Sequence, residues 1–176
     1  NYQISASLGR LRSIRVYVTG FTPRPGAYTV SSLATIVNAL MQAGGPSAAG
    51  SFRNIALRRN GKVQSNFDFY DLLLKGDKSA DQVLQAEDVV HIGPVGTQVA
   101  LIGSVNKPAI FELKTGETLD DLLGMAGGFT AVADRSRLSV ESLEDRADAR
   151  ISQLSLPQQG KQPLRNGDLI RAYSAV

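Results

Sequence analysis

The sequence predicts an α+β fold built from two similar halves. Residues 16–20 (VYVTG), 25–28 (PGAY) and 43–45 (AGG) recur 83 residues later as 99–103 (VALIG), 108–111 (PAIF) and 126–128 (AGG). Each half also combines alternating strand patterns with one amphipathic helix. Towards the end of each half, residues 84–90 (LQAEDVV) recur 80 residues later as 164–170 (LRNGDLI). A constant offset over several motifs indicates an internal repeat, whose second copy has lost three residues net.

The length and composition fit two small domains. With 176 residues, 43% of them hydrophobic, the chain can bury a core in each unit of about 80 residues. We expect a first domain at 13–95 and a second at 96–176. Residues 1–12 are predicted to be a lead-in segment from an upstream domain, with a strand at 4–8.

Charge and cysteine content exclude several function classes. The net charge of +3 is too small to predict a nucleic-acid partner. The chain has no cysteine, which excludes disulfides, thiolate metal sites and thiol nucleophiles. No apolar run approaches the roughly 20 residues that a spanning helix needs.

Each copy begins with a predicted β-hairpin. Ile14, Val16 and Val18 alternate with polar residues, the period of a strand with one face on a core. A glycine ends this strand at Gly20, and a proline-containing turn leads to a second strand at 27–30. The second copy repeats this order, with its second strand at 110–113.

A helix follows each hairpin. Thr118 is a predicted N-cap with Asp121 at the third helical position, and Thr35 is its counterpart in the first copy. Apolar residues three and four apart give each helix one buried stripe: Ile36, Leu40 and Ala43, and Leu119, Leu123 and Ala126. Both helices are predicted to stop at a double glycine, since glycine tolerates a left-handed C-terminal cap.

The rest of each copy predicts further strands. In the first, residues 55–57 form a strand, Asn60-Gly61 is a hairpin turn, and residues 63–69 form the return strand. A short helix at 70–74 and a last strand at 89–92 follow. In the second copy residues 141–150 are longer and polar, so we expect that hairpin to be degenerate or opened; the last strand falls at 169–173. A hairpin, one crossing helix and further strands form the β-grasp (ubiquitin-like) pattern, a mixed sheet crossed by one main helix.

These motifs in this order resemble the soluble-ligand-binding β-grasp domain of polysaccharide export proteins of the Gram-negative outer membrane. The resemblance covers about residues 13–176 and includes 16–20, 24–28, 40–45, 53–61, 69–77 and 84–92 in the first copy. The second copy contributes 107–113, 118–119, 126–129 and 167–168. The sequence departs from the family at Glu87, where glycine is usual, and at Ala109, where the first copy has Gly26.

The resemblance implies domains of a capsular or exopolysaccharide export protein that serve oligomeric assembly and passage of polysaccharide across the outer membrane. It implies a periplasmic location, a homo-oligomer, and polysaccharide and an inner-membrane polysaccharide co-polymerase as partners. We expect this chain to be the middle of a longer exporter.

The residues predict no enzyme, cofactor or metal site. His91 is the only histidine, and no cysteine or second histidine is present to complete a metal site or a catalytic triad. Asp120 and Asp121 are adjacent on a helix and point in different directions, which favours helix-start acids over a carboxylate pair.

Basic residues around the Asn60-Gly61 turn are the candidate contacts. Arginine there can meet an acidic polysaccharide or a neighbouring protomer, and a solvated hairpin tip is the alternative. The aromatic residues Tyr17, Tyr28, Phe67, Phe69 and Tyr70 could stack on sugars, although core packing is commoner on strands. The candidate contact residues are Arg53, Arg58, Arg59 and Lys62. The predicted turn and cap residues are Gly20, Pro25, Gly26, Gly44, Gly45, Gly103, Pro108, Gly127, Gly128, Gly167 and Asp168.

Two other functions remain open at this point. Related β-grasp domains bind soluble ligands, so a module that binds a small molecule or sugar without a transport role is the main alternative. A role in DNA uptake is the other, and the weak net charge argues against it.

Overall fold

The computed structural model describes residues 12–142 and 151–176. By its internal contacts the chain divides into two compact units, Asn1–Val95 (unit 1) and Gly96–Val176 (unit 2). The strand predicted at 4–8 lies outside the described residues. No helix in the described ranges has the length and apolar character needed to cross a membrane.

Unit 1 is a five-stranded mixed sheet with two helices. Its elements are β1 Ser13–Gly20, β2 Gly26–Ser31, α1 Ile36–Ala43, β3 Gly50–Arg59, β4 Lys62–Phe67, α2 Phe69–Lys75 and β5 Val89–Pro94. The strand order is β2-β1-β5-β3-β4. The central β1 and β5 are parallel, and the other neighbours are antiparallel.

Unit 2 repeats this topology. Its elements are β6 Thr97–Gly103, β7 Ala109–Leu113, α3 Leu119–Met125, β8 Ala133–Glu141, β9 Ser152–Ser155 and β10 Leu169–Ser174. The strand order is β7-β6-β10-β8-β9, again with the first and last strands of the unit parallel at the centre. The prediction of two tandem β-grasp domains is therefore confirmed.

The core of unit 1 lies between one face of the sheet and α1. Val16 and Val18 of β1 and Val90 and Ile92 of β5 are fully buried there, because alternate strand residues point to the same face. The apolar stripe of α1 packs on them through its buried residues Ile36, Ala39, Leu40 and Ala43. The opposite face of the sheet is left to polar and half-buried side chains.

The helix caps follow the sequence signals. The backbone N–H of Thr35 donates to Asn38 Oδ1 at 2.8 Å, and that of Thr118 donates to Asp121 Oδ2 at 2.8 Å. Gly44 closes α1 with a left-handed φ of 94°. Helix α3 ends one residue before the double glycine, with Ala126 as its C-cap, and the two glycines then take left-handed φ values of 74° and 82°.

The Asn60-Gly61 hairpin forms as predicted in unit 1. Both turn residues have positive φ, 54° and 75°, and Arg59 pairs with Lys62 across the turn. The return strand β4 ends at Phe67, two residues earlier than predicted, because the carboxylate of Asp68 accepts the Tyr70 N–H and begins α2.

The hairpin of unit 2, expected to be degenerate or opened, is present in a shortened form. Strands β8 and β9 pair over four positions, from Arg137 with Ser155 to Val140 with Ser152. The pairing strand begins after the polar stretch at 141–150, and buried Leu154 holds it on the core. Residues 143–150, which join the two strands, lie outside the described residues.

Candidate functional site

The four predicted basic residues lie in two different environments. Arg53 is only 8% exposed, and its Nε contacts both carboxylate oxygens of Asp68, at 3.2 and 3.1 Å. Its guanidinium also lies 4.8 Å from the centre of the Tyr70 ring. Since the guanidinium is buried between β3 and α2, Arg53 supports the fold and is not an external contact, which corrects the expectation from sequence.

Arg59 is likewise committed to the fold. Its Nε and one terminal nitrogen each donate to a carboxylate oxygen of Asp88, both at 2.9 Å. The same carboxylate accepts the backbone N–H of Gln85 at 2.7 Å, which fixes the turn before β5. This two-pronged pairing ties the β3–β4 hairpin to that turn.

Arg58 and Lys62 are the members of the predicted group that lie on the surface. Arg58 is exposed and donates to the carbonyl of Gly61 at 3.1 Å. Across the sheet it faces Val89 of β5 on one side and Val63 of β4 on the other. Arg58 therefore belongs to the sheet face opposite α1, whereas Lys62, which pairs with Arg59, belongs to the other face at the tip of the hairpin.

We call this face the outer face of unit 1. Register and the alternation of burial assign two rows of side chains to it. One row crosses the sheet through Ala27, Tyr17, Val89, Arg58 and Val63, and the next through Thr19, His91, Ala56 and Asn66. From Tyr17 to Val63 the first row spans three strand spacings, about 14 Å.

Arg15, Tyr17 and Glu87 form a hydrogen-bonded cluster at one end of this face. Arg15 donates to Glu87 through Nε at 3.0 Å and a terminal nitrogen at 3.2 Å, and the Tyr17 hydroxyl donates to Glu87 Oε1 at 3.3 Å. The guanidinium of Arg15 lies 5.6 Å from the Tyr17 ring centre. The hydrogen bond from Arg15 holds the pKa of Glu87 below its ordinary value. The carboxylate thus orients both the aromatic and the cationic side chain.

Glu87 holds this position with an unusual backbone conformation. Its φ is +69°, a region that favours glycine, and Gly167 at the equivalent position of unit 2 has φ +86°. The departure from the family pattern at this residue therefore supplies the carboxylate of the cluster.

The single histidine lies beside the cluster. Thr19 Oγ1 and His91 Nδ1 are 2.8 Å apart, joining β1 and β5 on the outer face. Within residues 12–142 and 151–176, no group of three His, Cys, Asp or Glu residues could hold a metal ion. His91 is a hydrogen-bonding group of this surface.

The predicted aromatic residues divide between core and surface. Phe67 and Phe69 are buried, with ring centres 5.5 Å apart, and Tyr28 packs against the same core. Core packing is confirmed for these three. Tyr17 projects on the outer face, and Tyr70 lies under Arg53.

Unit 2 has an aromatic and arginine pair at a different position. The guanidinium of Arg137 lies 5.6 Å from the Tyr173 ring centre, while the tyrosine hydroxyl donates to Ser139 Oγ at 3.0 Å. Hydrogen bonds from the Ser136 side chain and backbone and from Arg137 lower the pKa of Asp134 to about 2. At the position of Tyr17, unit 2 has Ala100.

Comparison with known proteins identifies the family. The profile of the SLBB domain matches residues 15–67 and 98–152, which together make up more than half of the chain. The chain belongs to the SLBB domain family. The first SLBB match runs through β1 to β4 and the second through β6 to the first residue of β9, so the two matched stretches correspond to the two repeated units.

Relatives of this SLBB chain include transport proteins. Two curated proteins of Escherichia coli, both named polysialic acid transport protein KpsD, are 32% identical to it over 115 residues. The aligned part is 65% of this chain and 20% of each relative. The chain thus spans about a fifth of the length of the curated relatives it matches.

The sequence prediction missed the cluster on the outer face. Arg15, Glu87 and Thr19 were not among the candidate contacts, and Tyr17 appeared only among possible stacking residues. The available signal was the comparison of the two copies: Arg15, Tyr17 and Glu87 are replaced by Gln98, Ala100 and Gly167.

Proposed function

We propose that the chain forms the periplasmic part of a capsular or exopolysaccharide export protein of the Gram-negative outer membrane. In this role its two SLBB units serve oligomeric assembly and the passage of polysaccharide across the outer membrane. The role is one of transport and involves no catalysis by the chain. The observation that carries the proposal is the tandem SLBB match together with the similarity to polysialic acid transport proteins.

The charge of the unit 1 sheet supports a polysaccharide partner. Its five strands contain no Asp or Glu, and they contain four arginines and one lysine. Three of these arginines pair with Glu87, Asp68 and Asp88, and the fourth, Arg58, is exposed and can meet an acidic group. Polar hydrogen-bonding groups such as Thr19 and His91 suit the hydroxyl groups of sugars.

An in-frame deletion tests the transport role. Cells would carry the parent protein without residues 13–176, with a blot showing that the shortened protein is present. We expect surface polysaccharide to be lost while polymer still accumulates inside the cell. Normal surface polysaccharide at normal protein level would contradict the proposal.

The assembly role has a separate test. We propose that the full-length protein is a homo-oligomer that works with an inner-membrane polysaccharide co-polymerase. The mass of the parent protein in mild detergent, measured by light scattering, should be a multiple of the protomer mass. A strictly monomeric parent protein would contradict assembly.

A further inference from the structure

The two units share a fold but differ in the side chains on the sheet face opposite the main helix. Residues found there only in unit 1 are not required by the fold. Arg15, Tyr17 and Glu87 are Gln98, Ala100 and Gly167 in unit 2, which forms the same sheet without them. The cluster is therefore not needed to build a β-grasp sheet.

A glutamate at position 87 strains the local backbone. A non-glycine residue at φ +69° is strained, and unit 2 avoids this strain with Gly167. In return, the carboxylate of Glu87 receives hydrogen bonds from Arg15 and Tyr17, 72 and 70 residues earlier in the chain. The carboxylate thereby holds an aromatic ring and a cation in a fixed arrangement on an open surface.

The strand charges also differ between the units. The strands of unit 1 contain Arg15, Arg53, Arg58, Arg59 and Lys62 and no acid. Those of unit 2 contain three acids and three arginines: Glu112, Asp134, Glu141, Arg135, Arg137 and Arg171. Since Asp68 and Asp88 pair with Arg53 and Arg59, the cation left on the outer face of unit 1 is Arg58, beside the paired Arg15 and Glu87.

Small residues leave the rings and cations of this face accessible. Ala27 lies beside Tyr17 on β2, and Ala56 lies two residues from Arg58 on β3, so these two neighbours of the ring and the cation are small. The Cα atoms of Tyr17 and Arg58 are separated by two strand spacings, about 10 Å, with Val89 between them. Thr19, His91 and Asn66 supply hydrogen-bonding groups in the adjacent row.

We propose that the outer face of unit 1 is a binding platform for an acidic saccharide. Tyr17 packs its ring against the C–H face of one sugar, Arg58 meets a sugar carboxylate, and Thr19 and His91 bond to hydroxyl groups. The choice of an acidic saccharide rests on the proposed export function and on Arg58, which none of the described carboxylates pairs with. Unit 2 has Ala100 and Ile102 at the positions of Tyr17 and Thr19 and an acid, Glu141, at the position of Arg58, so it is not part of the platform.

The test is a titration of the 176-residue chain followed by ¹H–¹⁵N NMR. Oligomers of α2,8-linked sialic acid are the probe, with neutral dextran oligomers of equal length and a DNA oligonucleotide of equal charge as comparisons. We expect shifts in β1, β3 and β5 with the acidic saccharide, and much weaker effects with dextran and DNA. No binding, equal binding of dextran, or equal binding of DNA would overturn the proposal.

Matched variants locate the site. Tyr17→Ala introduces the residue that unit 2 has at this position, so the fold should survive, and we expect affinity to fall about tenfold. Tyr17→Phe keeps the ring and should stay within about threefold, while Arg58→Gln should weaken binding about threefold. Tyr173→Ala is the control in unit 2 and should leave affinity unchanged. Loss of affinity with Tyr173→Ala but not with Tyr17→Ala would overturn the assignment to unit 1. A change in self-association with Tyr17→Ala, in place of a change in saccharide binding, would overturn it too.

Failure of this inference is distinguishable from failure of the export proposal. If the deletion of residues 13–176 abolishes surface polymer but no saccharide binds, the transport role stands and the platform falls. If the saccharide binds but the deletion has no effect on surface polymer, the platform stands and the transport role falls.

Discussion

Glu87 in unit 1 and Gly167 in unit 2 occupy the same position in the turn before the last strand, and both have left-handed φ values, 69° and 86°. The backbone conformation is therefore a property of the repeated fold. The side chain is an addition of unit 1, and it carries the hydrogen bonds that orient Arg15 and Tyr17.

This equivalence predicts opposite effects of two substitutions. Glu87→Gly should preserve or raise the free energy of unfolding, because it removes backbone strain and loses only an exposed ion pair. Gly167→Ala should lower the free energy of unfolding by about 1 kcal/mol, because alanine is strained at this φ. Urea unfolding of both variants provides the measurement. A loss in Glu87→Gly as large as that in Gly167→Ala would show that the ion pair outweighs the strain.

The pKa of Glu87 should depend on Arg15. The guanidinium of Arg15 stabilises the carboxylate and keeps its pKa below the ordinary value of 4.5. Because the pKa in the folded state is lowered, the stabilising effect is present above the unfolded pKa and is lost as the pH falls through the folded pKa. In Arg15→Gln, an NMR titration of the Glu87 carboxyl carbon should give a pKa nearer 4.5. An unchanged pKa would mean that Arg15 does not hold Glu87 in solution.

Arg53 and Arg58 should differ strongly in their effect on stability. Arg53→Leu leaves the buried carboxylate of Asp68 without its guanidinium partner and should lower the free energy of unfolding by about 3 kcal/mol. Arg58→Ala changes an exposed side chain and should stay within about 0.5 kcal/mol. Urea unfolding of the two variants makes the comparison. Equal effects would contradict the separation of the basic residues into buried and surface groups.

Two glycines in turns should differ in their tolerance of a side chain. A Cβ at Gly103 would collide with the carbonyl oxygen of Ala172 in the neighbouring strand β10, while a Cβ at Gly61 meets nothing within 4 Å. Both residues have positive φ, 91° and 75°. Gly103→Ala should therefore cost at least about 3 kcal/mol, and Gly61→Ala only the local strain of about 1 kcal/mol. The thermal midpoints of the two variants give the comparison, and equal midpoints would contradict the close contact at Gly103.

The fold could be predicted because its signals are local and repeated. The alternation at Ile14, Val16 and Val18 and the Asn60-Gly61 turn each depend on a few neighbouring residues. Because the chain is an internal repeat, most of these patterns occur twice, and each copy supports the prediction for the other. The second hairpin was expected to be degenerate or opened, and it forms in a shortened version because the partner strand begins only at Ser152, beyond a polar stretch that carries no strand pattern.

The site could not be predicted in the same way, because its contacts join distant parts of the chain. Arg53 is buried only because β3 passes α2, where Asp68 lies 15 residues later. Arg15 and Glu87 meet because β1 and β5 are parallel neighbours at the centre of the sheet, 72 residues apart in sequence. Proximity in the sequence grouped the four basic residues, whereas the register of the strands determines which of them lie on the outer face.

The most direct test of the account is the amount of surface polysaccharide on cells whose full-length protein carries Tyr17→Ala and Arg58→Ala together. Cells with Tyr173→Ala, at the same protein level, are the control. The account predicts a clear reduction of surface polysaccharide in the double variant and a normal amount in the control. A normal amount in the double variant would contradict the claim that the outer face of unit 1 serves the exported polysaccharide.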